Sequence, residues 1–171
     1  GLTAGAEPEV KALEAYARKL FADKRGPART DAAPADTSGI HIDLHSYSEL
    51  VLWPWGEDER VAPNGTALQT LGRKFAYFSD YTPTQSVGLY PTDGTSDGAS
   101  YGELGVAAFT FEMGTAFFQS CSVFQEDILP RNLPALRYAL RVVKAPYLLP
   151  AGPDVVGLPS TDLTVAKNRQ I

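Results

Sequence analysis

The chain has 171 residues, 44% hydrophobic and 20% charged, and a net charge of -5. That length and apolar content suit one buried core, and the charged fraction is too small for a disordered chain. A negative balance without any run of Lys or Arg argues against nucleic acid or an anionic membrane as partner.

No apolar run approaches the ~20 residues that cross a bilayer. Cys121 is the single cysteine, so no disulfide forms within the chain, and its apolar surroundings predict a small core residue. The sequence opens Gly1-Leu2-Thr3 rather than with Met. That reads as a processed or truncated start, from which any export signal has been lost.

In chain order, Glu7-Pro8-Glu9 marks a helix start. Val10, Leu13, Ala17 and Leu20 then recur at helical spacing, with a stop near Arg25-Gly26-Pro27. Residues 26–38, rich in Ala, Pro, Asp and Thr, read as a surface loop. Ile40, Ile42 and Leu44 alternate with His41, Asp43 and His45, the pattern of a strand with one polar face. Residues 46–56 read as extended and aromatic. A second helix follows Asn64-Gly65-Thr66, with Leu68, Leu71, Phe75 and Phe78 on one face and Asn64 or Thr66 as its cap. Residues 81–104 hold many Gly, Thr, Ser, Asp and Pro and predict a long loop, functional or disordered. Val106 to Glu112 is nearly continuously apolar, as in a central strand covered on both faces, and it ends in a carboxylate. Leu133, Leu136, Leu140 and Val143 fall in register for a last helix over 131–145. Helices alternating with buried strands give an α/β class. Residues 154–171 lose the helical pattern and read as a linker or a disordered end.

Two residues close apolar strands, where α/β folds place their sites. His41 and His45 are the only histidines. Four residues apart on a strand they stand about 13 Å from each other, too far for one zinc ion to bridge. Any further ligand has to come from elsewhere. Glu112 loses hydration at its strand end, which raises its pKa and suits a general acid or base. Taken singly, each has an ordinary structural explanation: a hydrogen-bonded strand-end imidazole, and a carboxylate reaching solvent.

Read together, the segments point further. The run His45-Ser46-Tyr47-Ser48-Glu49-Leu50-Val51-Leu52-Trp53-Pro54-Trp55-Gly56 closely resembles the third zinc-ligand segment of the M14 zinc metallocarboxypeptidases. Phe109-Thr110-Phe111-Glu112 resembles their catalytic glutamate strand. Tyr90 and the following Gly94-Thr95-Ser96-Asp97 match the spacing of the family's mobile tyrosine and specificity loop. Glu7-Pro8-Glu9-Val10 matches a helix start.

The resemblance implies that residues 1–150 form the C-terminal half of an α/β/α domain with a mixed, mostly eight-stranded sheet, and that 151–171 are a tail or linker. It implies Zn2+ as cofactor, His45 as metal ligand, and Glu112 and Tyr90 as catalytic residues. Leu52, Gly56, Leu89, Thr92, Asp97 and Thr110 would line the pocket for the terminal side chain. Ser46 and Tyr47 would contact substrate upstream of the cut. Non-proline cis peptides are implied at Ser46-Tyr47 and Pro54-Trp55. An acidic Asp97 at the pocket base implies a basic or broad preference for the C-terminal residue of a peptide substrate.

Departures exist. Gly98-Ala99 stands where the family usually has Asp-Trp, and no Arg-Asp pair follows Glu112. The family's His-x-x-Glu zinc motif is absent, as are the arginines that clamp the substrate carboxylate. Both would belong to an N-terminal half, the implied partner. A metal-free interaction module and an amidase acting on cell-wall peptides are the alternative readings. The resemblance also implies a secreted or periplasmic protein.

Overall fold

The computed structural model describes residue 3 and residues 5–149. Helix α1 spans Pro8–Leu20, with Pro8 in its first turn, Glu9 beside it, and Arg18 and Lys19 in the last turn. These charges complement the helix dipole. The helix stops before the expected Arg25-Gly26. Arg25 is instead buried and donates to the carbonyls of Gly102, Ala28 and Arg29, a role that an exposed helix end could not give it. None of the α1 residues is buried, and Val10, Leu13, Tyr16 and Leu20 remain exposed.

Four strands form one mixed sheet in the order β1-β4-β2-β3: β1 Ile40–His45, β2 Leu50–Trp53, β3 Thr82–Gln85 and β4 Ala107–Glu112. β4 runs parallel to β1 and antiparallel to β2, while β3 runs parallel to β2. The expected central strand is therefore β4, buried along its length up to Glu112. One β4 face presents Phe109 and Phe111 to helix α2 (Gly65–Ser79). Phe75 of α2 meets both rings, with centroids 5.1 and 5.5 Å away. Gly72 packs flat against Trp53, and a β-carbon there would lie 2.6 Å from the indole.

Asn64 occupies the N-cap position of α2, yet its side chain makes no cap. Its Oδ1 accepts from the Ala33 backbone N–H and the Tyr101 hydroxyl instead. Helix α5 (Leu129–Val142) packs on α2. It begins earlier than the expected 131, continuing a short helix α4 (Cys121–Val123) and a π-helical turn over Phe124–Ile128. Its buried positions are Asn132, Ala135 and Ala139, whereas Leu140 is exposed. The contact stripe is thus turned by one residue from the leucine register, because alanines let α5 approach α2 closely. Arg131 ties the corner. It donates to Ser79 O (2.8 Å), Asp80 O (2.9 Å) and Glu49 Oε1 (2.5 Å), and it stacks on Tyr81. Cys121 is exposed rather than in the core.

The other sheet face is covered by a segment expected to be a loop. Residues 82–104 hold β3, a 3-10 turn over Ser86–Gly88, helix α3 (Ser96–Ala99) and a π-helical turn over Ser100–Leu104. Tyr101 and Leu104 anchor it: both are buried, and Tyr101 packs edge-on against Trp55. Composition concealed these anchors because two large apolar side chains suffice to fix the segment. The expected tail over 151–171 lies outside the described residues.

Candidate active site

The register of β1 and β4 makes His45 and Glu112 direct neighbours. Paired residues of adjacent strands project to the same side of a sheet. His45 Nδ1 accordingly lies 3.8 Å from Glu112 Oε1, and Asp43 Oδ2 lies 3.3 Å from His45 Nε2. The imidazole side chain is 53% exposed and the Glu112 side chain only 12%. Burial pushes the Glu112 carboxyl above its ordinary range; His45 pulls it back and the Asp43 charge pushes it up further. Thr110 and Leu52 follow on the same face, opposite each other across β4 and β2, and both are buried.

A second group gathers around Ser86, a residue carrying no motif or periodicity signal. Leu89 N–H donates to Ser86 O at 3.1 Å. Ser86 Oγ lies 3.2 Å from Asp97 Oδ2, and Asp97 is 2% exposed. Thr92 N–H donates to Gly56 O at 2.9 Å. A β-carbon on Gly56 would strike Thr92 O at 2.9 Å, so only glycine permits this backbone approach. Asp97 thus meets the Ser86 side chain, Leu89 its main chain, and Gly56 joins Ser86 to Thr92.

Ser46 and Tyr47 directly follow His45, and Tyr47 meets Phe117 edge-on at 5.0 Å. Peptides Ser46-Tyr47 and Pro54-Trp55 are both cis. Tyr90 is 61% exposed. His41 Nδ1 pairs with Ser100 Oγ at 2.7 Å, which fixes the chain and keeps that ring apart from His45. A cleft of about 760 Å³ lies between α1 and the 93–104 segment and is lined by His41 and Trp55, not by His45 or Glu112.

A half-exposed imidazole beside a partly desolvated carboxylate suits one metal ligand and one general base. Among the described residues no group of three or more His, Cys, Asp or Glu side chains could hold a metal ion. A zinc site that used the His45 imidazole would need its other donors from outside these residues. No helix among them is long and apolar enough to cross a membrane.

The Zinc carboxypeptidase family model (Peptidase_M14) matches residues 1–132. A zinc carboxypeptidase of Saccharothrix mutabilis subsp. capreolus is 40% identical over 79 residues, which is 43% of this chain and 18% of that protein. Carboxypeptidase B of Bos taurus is 32% identical over 80 residues, 43% of this chain and 19% of its own length. The chain thus spans about a fifth of the curated relatives it matches. Among solved structures, carboxypeptidase A from Helicoverpa armigera aligns with a TM-score of 0.64 at 15% identity, covering 85% of this chain and 36% of that one. Thrombin activatable fibrinolysis inhibitor aligns with a TM-score of 0.63 at 22% identity, covering 81% and 34%. These two establish the fold, of which this chain spans about a third. With the family model covering most of its length, the chain belongs to the M14 zinc carboxypeptidase family.

Proposed function

We propose that this chain carries the base-and-pocket part of a zinc metallocarboxypeptidase, an enzyme that hydrolyses the C-terminal peptide bond of peptides. The adjacency of His45 and Glu112 at the ends of β1 and β4 carries the reading. His45 holds zinc as a neutral imidazole. Zinc, when bound, polarises the scissile carbonyl and brings the pKa of its water toward about 7. Glu112 takes a proton from the attacking water and returns it to the leaving amine, a task helped by its raised pKa. Tyr90 closes over the peptide from its exposed position. Leu52, Gly56, Leu89, Thr92, Asp97 and Thr110 receive the terminal side chain, and Ser46 and Tyr47 bind upstream.

Asp97, buried beside a hydroxyl, favours a basic terminal residue, since an ionised carboxylate out of water gains most from a cation. An N-terminal half supplies the His-x-x-Glu ligands. The open edge of β1 and the exposed apolar residues of α1 are where it docks. Residues 1–150 form one unit with that half, which acts outside the cytosol, in the medium or periplasm. Zinc stoichiometry and peptidase assays on the complete protein, with His45→Ala and Glu112→Gln, test this. One bound zinc, lost with His45→Ala, is expected. A full complement of zinc in His45→Ala defeats the ligand assignment.

The lack of a three-ligand group among the described residues favours a second reading, a metal-free interaction module with the same fold. No zinc and no peptidase activity in the complete protein would select it. Release of cell-wall peptides in place of ordinary ones would select an amidase.

A further inference from the structure

Asp43 stands between the two halves of the site. Its Oδ2 lies 3.3 Å from His45 Nε2 and also accepts the Ser96 hydroxyl. Ser96 opens α3, and the next residue is Asp97. The far end of the same turn is held to the same strand face by the 2.7 Å pair of His41 Nδ1 and Ser100 Oγ. One carboxylate oxygen therefore touches both the strand-end imidazole and the turn that places the pocket carboxylate.

The chemistry of the pair fixes a proton. A neutral imidazole has one N–H and one lone pair, and an ionised carboxylate only accepts. Carboxylate oxygens face both ring nitrogens, and the nearer one, Asp43 at 3.3 Å against Glu112 at 3.8 Å, draws the single proton to Nε2. The lone pair is then left on Nδ1, the nitrogen that looks toward Glu112 at 3.8 Å. A partner of this kind orients a ligating ring and raises its basicity. Because Ser96 shares the oxygen, removing Asp43 frees both the ring and α3, whereas removing the Ser96 hydroxyl frees only α3.

We propose that Asp43 is a positioning residue that sets the His45 tautomer and, through Ser96, the placement of Asp97. The zinc part of this inference rests on the reading of His45 as a metal ligand.

The test uses the complete protein with 15N-labelled histidine. Ring nitrogen shifts are read on the metal-free form. Zinc affinity is read by chelator competition, and kcat/KM is compared for peptides ending in Lys and in Leu. The wild type is expected to show His45 as the Nε2–H tautomer. Asp43→Ala is expected to give a mixed tautomer, roughly 10- to 100-fold weaker zinc binding, and a lower Lys-to-Leu ratio. Asp43→Asn keeps the shape and one acceptor oxygen, so it is expected to show the same changes to a smaller degree, and it decides the matter if Asp43→Ala fails to fold. Ser96→Ala is expected to lower the Lys-to-Leu ratio with ring shifts and zinc affinity unchanged. Wild-type ring shifts and zinc affinity in both Asp43 variants would overturn the proposal, as would a zinc loss in Ser96→Ala equal to that of Asp43→Ala. Unchanged zinc affinity in His45→Ala would instead defeat the ligand reading, and the metal-free ring spectrum would still report whether Asp43 sets the tautomer.

Discussion

Ser86 holds its hydroxyl between Asp97 and the main chain of β2: Oγ is 3.2 Å from Asp97 Oδ2 and 2.9 Å from Trp53 O. A serine has one hydrogen to give, so at any moment one of these acceptors goes without it. Whenever that hydrogen turns to Trp53 O the buried carboxylate goes without it, and under the proposed function a cationic substrate group supplies a donor there. Asp97→Asn is expected to lower the kcat/KM ratio of Lys-ending to Leu-ending peptides by about 10-fold or more, the worth of one charge-assisted hydrogen bond. Steady-state assays on matched peptides check this; an unchanged ratio removes the electrostatic basis of the preference.

Glu112→Gln keeps the size of the side chain and removes its basicity. In the complete protein, kcat is expected to fall by roughly 10²- to 10⁴-fold, the usual contribution of a general base. Zinc content should stay at the wild-type level, because the His45 ring, the proposed ligand, is untouched. Peptide hydrolysis and metal analysis on one preparation check both halves of the expectation.

Gly72→Ala places a methyl group against the Trp53 ring, 2.6 Å from Cε3 and 2.9 Å from Cζ3. Helix propensity favours alanine here by up to about 1 kcal/mol, but a packed core yields poorly to added volume. The overpacking term wins, and a net loss of about 1–3 kcal/mol is expected. Urea unfolding checks it: a rise in midpoint would mean that the α2–β2 contact is looser than described.

Asp58 is gripped by Arg60, whose Nε and Nη2 lie 2.9 and 2.5 Å from Oδ2. That hydrogen bonding holds the Asp58 carboxyl at about 2, below its usual 3.8. A lowered carboxyl pKa contributes stability above the unfolded value, and the contribution is lost as pH falls through the folded one. The relevant window is therefore below about 3.8 and down to about 2. A carboxyl 13C titration is expected to place the Asp58 midpoint near the lower figure, and Arg60→Ala should move it up toward the ordinary one.

Much of this architecture was legible in the residue pattern, for identifiable reasons. Alternation at Ile40–His45 and the apolar run into Glu112 each reported a strand because side-chain period and burial are local properties. That the two strand ends are neighbours is not local. It depends on β4 inserting between β1 and β2, and only the motif resemblance pointed to it. The 81–104 segment is not the loop its composition predicts, because its order comes from long-range contacts: Tyr101 with Asn64, Ser96 with Asp43 and Ser86 with Trp53. The leucine register of α5 misled for a related reason. Leu140 faces outward, and the alanines at 135 and 139 make the close contact, so size complementarity overrode hydrophobicity.

The Arg131 clamp bears on how the molecule is assembled. It belongs to the last long helix, but it grips Glu49, just beyond His45, and the C-terminal end of α2. Domains take shape while the chain is still emerging from the ribosome, N-terminal parts first. The turn after the histidine strand must therefore wait, unlatched, until residue 131 has been synthesised.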